Sequence, residues 1–338
     1  MGEQDITHNN HYVPRFYLKN WSEDGKTIYT YSLLVSDKNV PYWRKESIRH
    51  VAVWHDLYTR KIEQREIDDF EEWFDREFEA PAKPVFDKLL KNEQITKAES
   101  IIISRFVAAQ HIRTPSRLNS MLAWGRDKIP DIFQDVLNKL NEKLASGSFE
   151  REVKPITEET ELLPIKVSLD REQSLACVES IVGKSMYLYF VKHLLTKTVE
   201  HMYNHRWYVV QVVDGISFPT TDDPVICLNF RSETDYDFKG GWGRKQGNII
   251  MPLSPDKLLF TQIGDKGTFD SLNNSPYWSS LFRKMIIQHA HRFVFADKPQ
   301  RGMLAVNPRM VNKVLYDEER KAMETWHEEN MFAEESLK

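Results

Sequence analysis

Cysteine is nearly absent: the 338-residue chain has two, Cys177 and Cys227, far apart and in no metal-type spacing. That excludes a disulfide framework and points to a reducing compartment, so a cytoplasmic location is expected. Long apolar runs are missing as well. Runs such as Ile101-Ile102-Ile103 fall far short of the roughly 20 residues that cross a bilayer, and no membrane partner is expected. The start, Met1-Gly2-Glu3-Gln4-Asp5, is polar and acidic, unlike a secretory signal. Ile6 stands where N-myristoylation calls for Ser or Thr. Charge of one sign is lacking too: 46 basic against 50 acidic residues leave a net charge of −4. Such a chain is no general electrostatic glove for nucleic acid, although a local basic pocket is compatible with it. Neither a G-x-G-x-x-G nor a G-x-x-x-x-G-K-[ST] loop occurs, which removes Rossmann and P-loop readings. No internal repeat is visible.

What is present is a globular composition, 41% hydrophobic and 12% aromatic, long enough to bury a substantial core. Thr27-Ile28-Tyr29-Thr30-Tyr31 alternates and follows the Asp24-Gly25 turn signal, so it predicts a strand; Val51 to Tyr58 is a weaker one. From Glu66 to Asn92 the period is helical, with Phe70, Trp73, Phe74 and Phe78 on one stripe and Pro81 and Pro84 expected to kink or split the helix. Thr96 and Glu99 form a capping box for a helix that Pro115 should end or bend. A further helix is expected from Asp131 to Ala145, closed by Ser146-Gly147-Ser148. Residues 147 to 168 read as a loop or linker, and 171 to 204 as one long helix. Beyond His205 the pattern turns to strands. Asp214-Gly215 predicts a hairpin between Trp207–Val213 and Ile216–Thr220, and Ser254-Pro255-Asp256 a turn between Ile249–Leu253 and Lys257–Gln262. Ser275-Pro276 reads as N-cap and first residue of a helix to about Gln288, followed by a strand from Arg292 to Ala296.

Helices in the middle and strands in the last third predict an α+β fold with a mainly antiparallel C-terminal part, joined by the N-terminal strands. Residues 1–300 are expected to form a single intimate domain, helical over about 66–204 and β-rich over about 206–300. Residues 301–338 should add a C-terminal helix and charged tail.

Several segments carry residues suited to chemistry. His8-x-x-His11 has metal-pair spacing, but Asn9-Asn10 and Pro14 disfavour a helix there and no further ligands are in register, so no metal is assigned. His11 suits acid/base work near neutral pH, or simply satisfies backbone beside Pro14. Arg15 precedes Phe16-Tyr17 and fits an anionic or aromatic ligand, or a structural ion pair. Ile103, Phe106, Gln110, Arg113 and Arg117 share one helical stripe, which turns from apolar to polar without leaving its face. A buried arginine there needs a ligand or a carboxylate such as Glu79 or Asp222. Glu72 and Glu79, seven apart, would share a helix face. Asp222 and Asp223, before Pro224 at a strand end, sit where sites are commonly built; on an extended chain only one of them would face a pocket. An Asx-type turn explains them equally well.

Taken together, these segments resemble a bacterial family known as domain of unknown function 4238. The resemblance rests on His11-Tyr12-Val13-Pro14 with Phe16-Tyr17-Leu18, Glu72 and Glu79, Phe106-Val107-Ala108-Ala109-Gln110, and Arg113-Thr114-Pro115. It continues through Trp207, Thr221-Asp222-Asp223-Pro224-Val225 and Pro252-Leu253-Ser254-Pro255. This chain has Trp21 where members often have phenylalanine, and Thr221-Asp222-Asp223-Pro224 where they often have Ser-Asp-Asn-Pro. The resemblance implies no established activity and no named cofactor. It singles out His11, Gln110, Arg113 and Asp222; His11 and Asp222 are the catalytic candidates, and Gln110 and Arg113, together with Arg15 beside its aromatic pair, the substrate-binding candidates. Brought together, they would suit a phosphate-bearing substrate: arginine for charge, histidine for proton transfer, aspartate to orient it. One expectation is therefore a nuclease-like or nucleotide-hydrolysing enzyme, a toxin or phage-defence effector whose partner is nucleic acid or nucleotide. The other is a non-catalytic sensor or interaction module for a small anionic ligand or a protein. A purely structural network holding the N-terminal loop on the helices is the third. Oligomeric state is left open.

Overall fold

The computed structural model describes residues 8–62, 65–146, 163–170, 175–265, 267 and 269–337. The chain is α+β, with helices in its middle and antiparallel sheets in its C-terminal part. A five-stranded sheet runs in the order Tyr208–Gln211, Lys257–Gln262, Asn248–Ser254, Ile226–Phe230, Tyr236–Asp237. A four-stranded sheet sets Thr220–Thr221 and Phe293–Ala296 beside the N-terminal strands Thr27–Ser32 and Trp43–Ser47. Strands from the first fifty residues and from the C-terminal part of the chain thus share one sheet.

Strong local signals fold as expected. Thr96 accepts from Glu99 N, and the Glu99 carboxylate returns to Thr96 N at 2.8 Å, opening the helix Lys97–Ile112. Ser275 caps Pro276–His289, and the Ser254-Pro255-Asp256 turn joins two paired strands. The helix before Pro115 does end, at Ile112, because Pro115 serves as the first residue of a new helix, Pro115–Ala145. That helix runs through Pro130 and so begins well before Asp131.

Several expectations change. Asp214-Gly215 makes its turn, with Gly215 at φ +88°, but no hairpin follows. Tyr208–Gln211 pairs with Lys257–Gln262, whereas Thr220–Thr221 leaves for the other sheet. The expected long helix over 171–204 is instead a strand, Leu175–Ser180, paired with Ile165–Asp170, and then a helix, Lys184–Thr196. Val178 and Ser180 face inward while Cys177 and Glu179 are exposed, a period of two. Gly183 stands between strand and helix, where a Cβ would meet Asn330 Oδ1 at 2.3 Å. The expected linker over 147–168 ends in the strand Ile165–Asp170; Gly147, Ser148 and the stretch to 162 lie outside the described residues. Of the kink or split expected at Pro81 and Pro84, the split does not occur. Asp69–Phe74 and Ala80–Leu90 are joined by a π-helical turn, Asp75–Glu79, just before Pro81. That wider turn absorbs the lost backbone donor.

The N-terminal segment is locked into the β-rich part. Tyr17, fully buried, donates to the Pro252 carbonyl at 2.8 Å and pairs with Thr220 Oγ1 at 2.7 Å. Buried Trp21 donates from Nε1 to the Phe218 carbonyl at 2.8 Å. The largest apolar cluster spans this segment, the helices and the inner face of the five-stranded sheet. At the far end, Lys313–Leu337 docks through Trp326 against Trp54 and Glu319 on Arg292.

Candidate functional site

The junction between the helices Lys97–Ile112 and Pro115–Ala145 carries Gln110, His111, Arg113, Thr114 and Arg117, and polar groups gather on both sides of it. On one side lies Arg113, 1% exposed. Its Nη1 donates to Glu79 Oε1 at 2.7 Å, and Nε and Nη2 donate to Gln110 Oε1 at 3.2 and 3.0 Å. The guanidinium lies over the Phe74 ring, 5.2 Å from its centroid. Gln110 Nε2 donates to the Tyr12 carbonyl at 3.0 Å, tying this network to the N-terminal segment. Tyr58 OH donates to the Arg113 carbonyl at 3.0 Å. Of the carboxylates expected for Arg113, Glu79 is the one bound.

His11 belongs to the same region, within charge reach of Arg15, Glu79 and Arg113. Burial pulls its pKa below the ordinary value, while a hydrogen bond to the Ile48 carbonyl pulls the other way. Its Nε2 is buried and has no partner. The Ile48 bond therefore belongs to Nδ1, and a proton fixed there leaves Nε2 with a lone pair. Arg15 is exposed at the rim.

Glu71, rather than Glu72, joins this group. Glu72 is exposed, whereas burial pushes the Glu71 carboxyl up to about 8, with Arg113 acting in the opposite sense. The π turn explains the exchange. It adds a residue to the turns between them, so the position above Glu79 moves from seven to eight residues back. Glu71 accepts from the His11 backbone N–H, and its Oε2 is buried without a partner.

Across the junction the aspartates separate. Asp222 folds back onto a turn, accepting from His291 N at 2.9 Å and Arg292 N at 2.7 Å. Burial pushes its carboxyl up to about 7, against those backbone donors. Asp222 bonds to neither Gln110 nor Arg113, but it stands within charge reach of the buried Tyr12 hydroxyl. Asp223 is the one that reaches the junction, accepting from Thr114 Oγ1 at 3.2 Å. His289 donates from Nδ1 to the Asp223 carbonyl at 2.9 Å, and its Nε2 stands 3.9 Å from Asp223 Oδ2. Burial holds the His289 pKa below the ordinary value. Phe238 stands edge-on to His289 and also lines an adjoining cavity of about 640 Å³. His111 is committed on both nitrogens, accepting from Trp242 Nε1 at 3.0 Å and facing Cys227 Sγ at 3.6 Å.

The structure thus brings His11, Gln110 and Arg113 to one locality, with Arg15 at its edge and Asp222 in a neighbouring network. Glu71, His289 and Lys184 are not among the residues expected from sequence. His289-Ala290-His291 at a helix end was a visible signal. Lys184 gives none: it is 3% exposed, and its Nζ donates to the Asp56 and Thr59 carbonyls at 2.6 and 3.0 Å. Burial lowers its pKa to about 7.

Fold and site together describe an α+β protein with a His/Glu/Arg cluster between its N-terminal segment and its helices, half-buried at His11 and Glu71 and fully buried at Arg113. The chain belongs to the family described as protein of unknown function DUF4238, whose model matches residues 9–300. Comparison with curated proteins and with solved structures finds no match. Among the described residues no helix is long and apolar enough to cross a membrane.

Proposed function

We propose that the protein is a hydrolase of phosphate-bearing substrates, nuclease-like or nucleotide-hydrolysing, in which His11 and Glu71 move protons beside Arg113. The observation that carries this reading is the pair of buried, unpartnered atoms His11 Nε2 and Glu71 Oε2. A buried polar atom without a partner costs about 1–3 kcal/mol, and natural proteins retain few without a use. The two atoms are chemically complementary. His11 Nε2 offers a lone pair, and Glu71 at neutral pH holds a proton. In the proposed step a water oxygen attacks phosphorus and its proton passes to His11 Nε2. The bond to the leaving oxygen breaks as that oxygen takes the Glu71 proton. Arg113, held by Glu79 and Gln110, supplies fixed positive charge beside these two groups. Arg15 meets the anionic substrate first. Asp222 acts as a positioning residue through the turn at 291–292. A toxin or phage-defence effector is the setting in which such an activity would register as growth inhibition.

The test is turnover of RNA, single- and double-stranded DNA and nucleoside triphosphates by wild type, His11→Ala and Glu71→Gln. Loss of the general base is expected to lower the rate about 100-fold or more, with circular dichroism unchanged. A His11→Ala protein as active as wild type would sink the proposal. One observation favours the purely structural network instead: Gln110 and Arg113 are sealed and bonded to each other. It predicts neither product nor stabilisation by a nucleotide or inorganic phosphate.

A further inference from the structure

The segment that carries His11 also carries a second cluster, on its outer side. Asn9–His11 pairs antiparallel with Val53–His55 in the register Asn9↔His55, which sets His8 opposite Asp56. The Asp56 N–H donates to the His8 carbonyl at 2.7 Å, closing the pair. Asp56 has φ +52°, a left-handed conformation that aspartate tolerates better than most residues. Strand alternation would throw the His55 and Asp56 side chains to opposite faces. The left-handed turn cancels that, and both point the same way.

The result is a three-residue group from two strands. His8 Nδ1 lies 2.7 Å from Asp56 Oδ1, and His55 Nδ1 lies 2.7 Å from Asp56 Oδ2. The ligand atoms of all three side chains fall within 4.8 Å of one another. The imidazoles are near-parallel, 5.3 Å apart with an interplanar angle of 7°. Their side chains are 45% and 63% exposed, so the nitrogens are reachable from solvent, whereas Asp56 is 10% exposed and held from behind. Thr59 Oγ1 donates to Asp56 Oδ1 at 2.9 Å, and Lys184 fixes the Asp56 carbonyl. Outer contacts of this kind orient the carboxylate of a metal site.

We propose that His8, His55 and Asp56 form a binding site for a divalent transition-metal ion, with zinc the closest match. Two imidazole nitrogens and one carboxylate are a borderline-soft donor set that suits Zn²⁺ and its neighbours. Ca²⁺ and Mg²⁺ prefer all-oxygen shells. Three protein ligands leave a coordination position for water or substrate, the arrangement of zinc sites that are open rather than purely structural. His8 finds its partners across the strand pair and not in His11, so the His8-x-x-His11 spacing is incidental to the site. The competing explanation is plain hydrogen bonding, each imidazole donating an Nδ1 proton to one carboxylate oxygen.

The experiment is titration of the full-length, chelator-treated protein with Zn²⁺ alone, followed by calorimetry and thermal melting. Co²⁺ in place of Zn²⁺ gives a visible-absorption readout of nitrogen and oxygen ligation. We expect one equivalent of Zn²⁺ per chain, a raised melting temperature, and a Co²⁺ band that His55→Ala abolishes. Because His55 is exposed, that variant keeps its apo melting temperature. Thr59→Val, which leaves all three ligands, is expected to weaken Zn²⁺ about 10-fold. The proposal is overturned if wild type takes up no Zn²⁺ at 100-fold molar excess, if the His8→Ala/His55→Ala protein binds it equally well, or if Mg²⁺ competes it away at equal concentration. None of these readouts depends on activity at His11.

Discussion

Glu71→Gln isolates one strongly displaced titration. The folded carboxyl is pushed from 4.5 up to about 8, so between those values the folded chain holds a proton that the unfolded chain has released. The raised value means stability is fully present below the unfolded pKa and declines as pH climbs toward 8. A tenfold change in proton affinity corresponds to about 1.36 kcal/mol, so the full span is worth roughly 5 kcal/mol as an upper bound. Glutamine keeps the shape and removes the titration. Urea unfolding of both proteins at pH 5, 6, 7 and 8 measures it. The difference in stability, wild type minus variant, should fall by up to about 1.4 kcal/mol per pH unit across this window. Asp222, raised to about 7, contributes in the same direction to both proteins and cancels in the difference. Parallel curves for the two proteins would refute the reasoning, because Glu71 would then titrate alike folded and unfolded.

Two other perturbations test the frame around the site. Thr96→Ala removes one half of a reciprocal cap and should cost about 1 kcal/mol in urea unfolding. Asp222→Ala strips the acceptor from the His291 and Arg292 amides and should cost about 1–3 kcal/mol. Amide exchange at residues 291 and 292 should accelerate, and unchanged exchange there would show that the turn does not depend on it.

Legibility followed locality. The Thr96 cap, the Ser254–Asp256 turn and the Ser275-Pro276 helix start are each decided by a few neighbouring residues, and each folds as its residues predict. The Arg113–Glu79 pair was readable because a buried guanidinium needs a carboxylate and Glu79 preceded the proline disturbance. Glu71 was not readable: helical spacing alone nominates Glu72, and only the π turn shifts the facing position. Leu175–Ser180 failed for a related reason, since Leu175, Val178, Ile181 and Val182 fit a helical stripe as well as a strand joined to a bend. The Asp214-Gly215 turn forms, but which strands pair beyond it is a tertiary choice made by Phe293–Ala296. The same holds for His289 against Asp223 and for His8 against Asp56, partners 66 and 48 residues apart.

One contact bears on how this protein is made. The helix Lys184–Thr196 begins at Gly183 and has no side-chain cap of its own. Its first amides are met from far downstream: Lys184 N donates to Asn330 Oδ1 at 2.8 Å, and Ser185 N to Glu334 Oε1 at 2.8 Å. The carboxylate also sits at the positive end of the helix dipole. During synthesis this helix therefore waits about 146 residues for its start to be completed, a delay of roughly 7–30 s at ordinary elongation rates. Through that interval Lys184, later among the most enclosed cations in the protein, is still open to the chaperones and solvent around the ribosome.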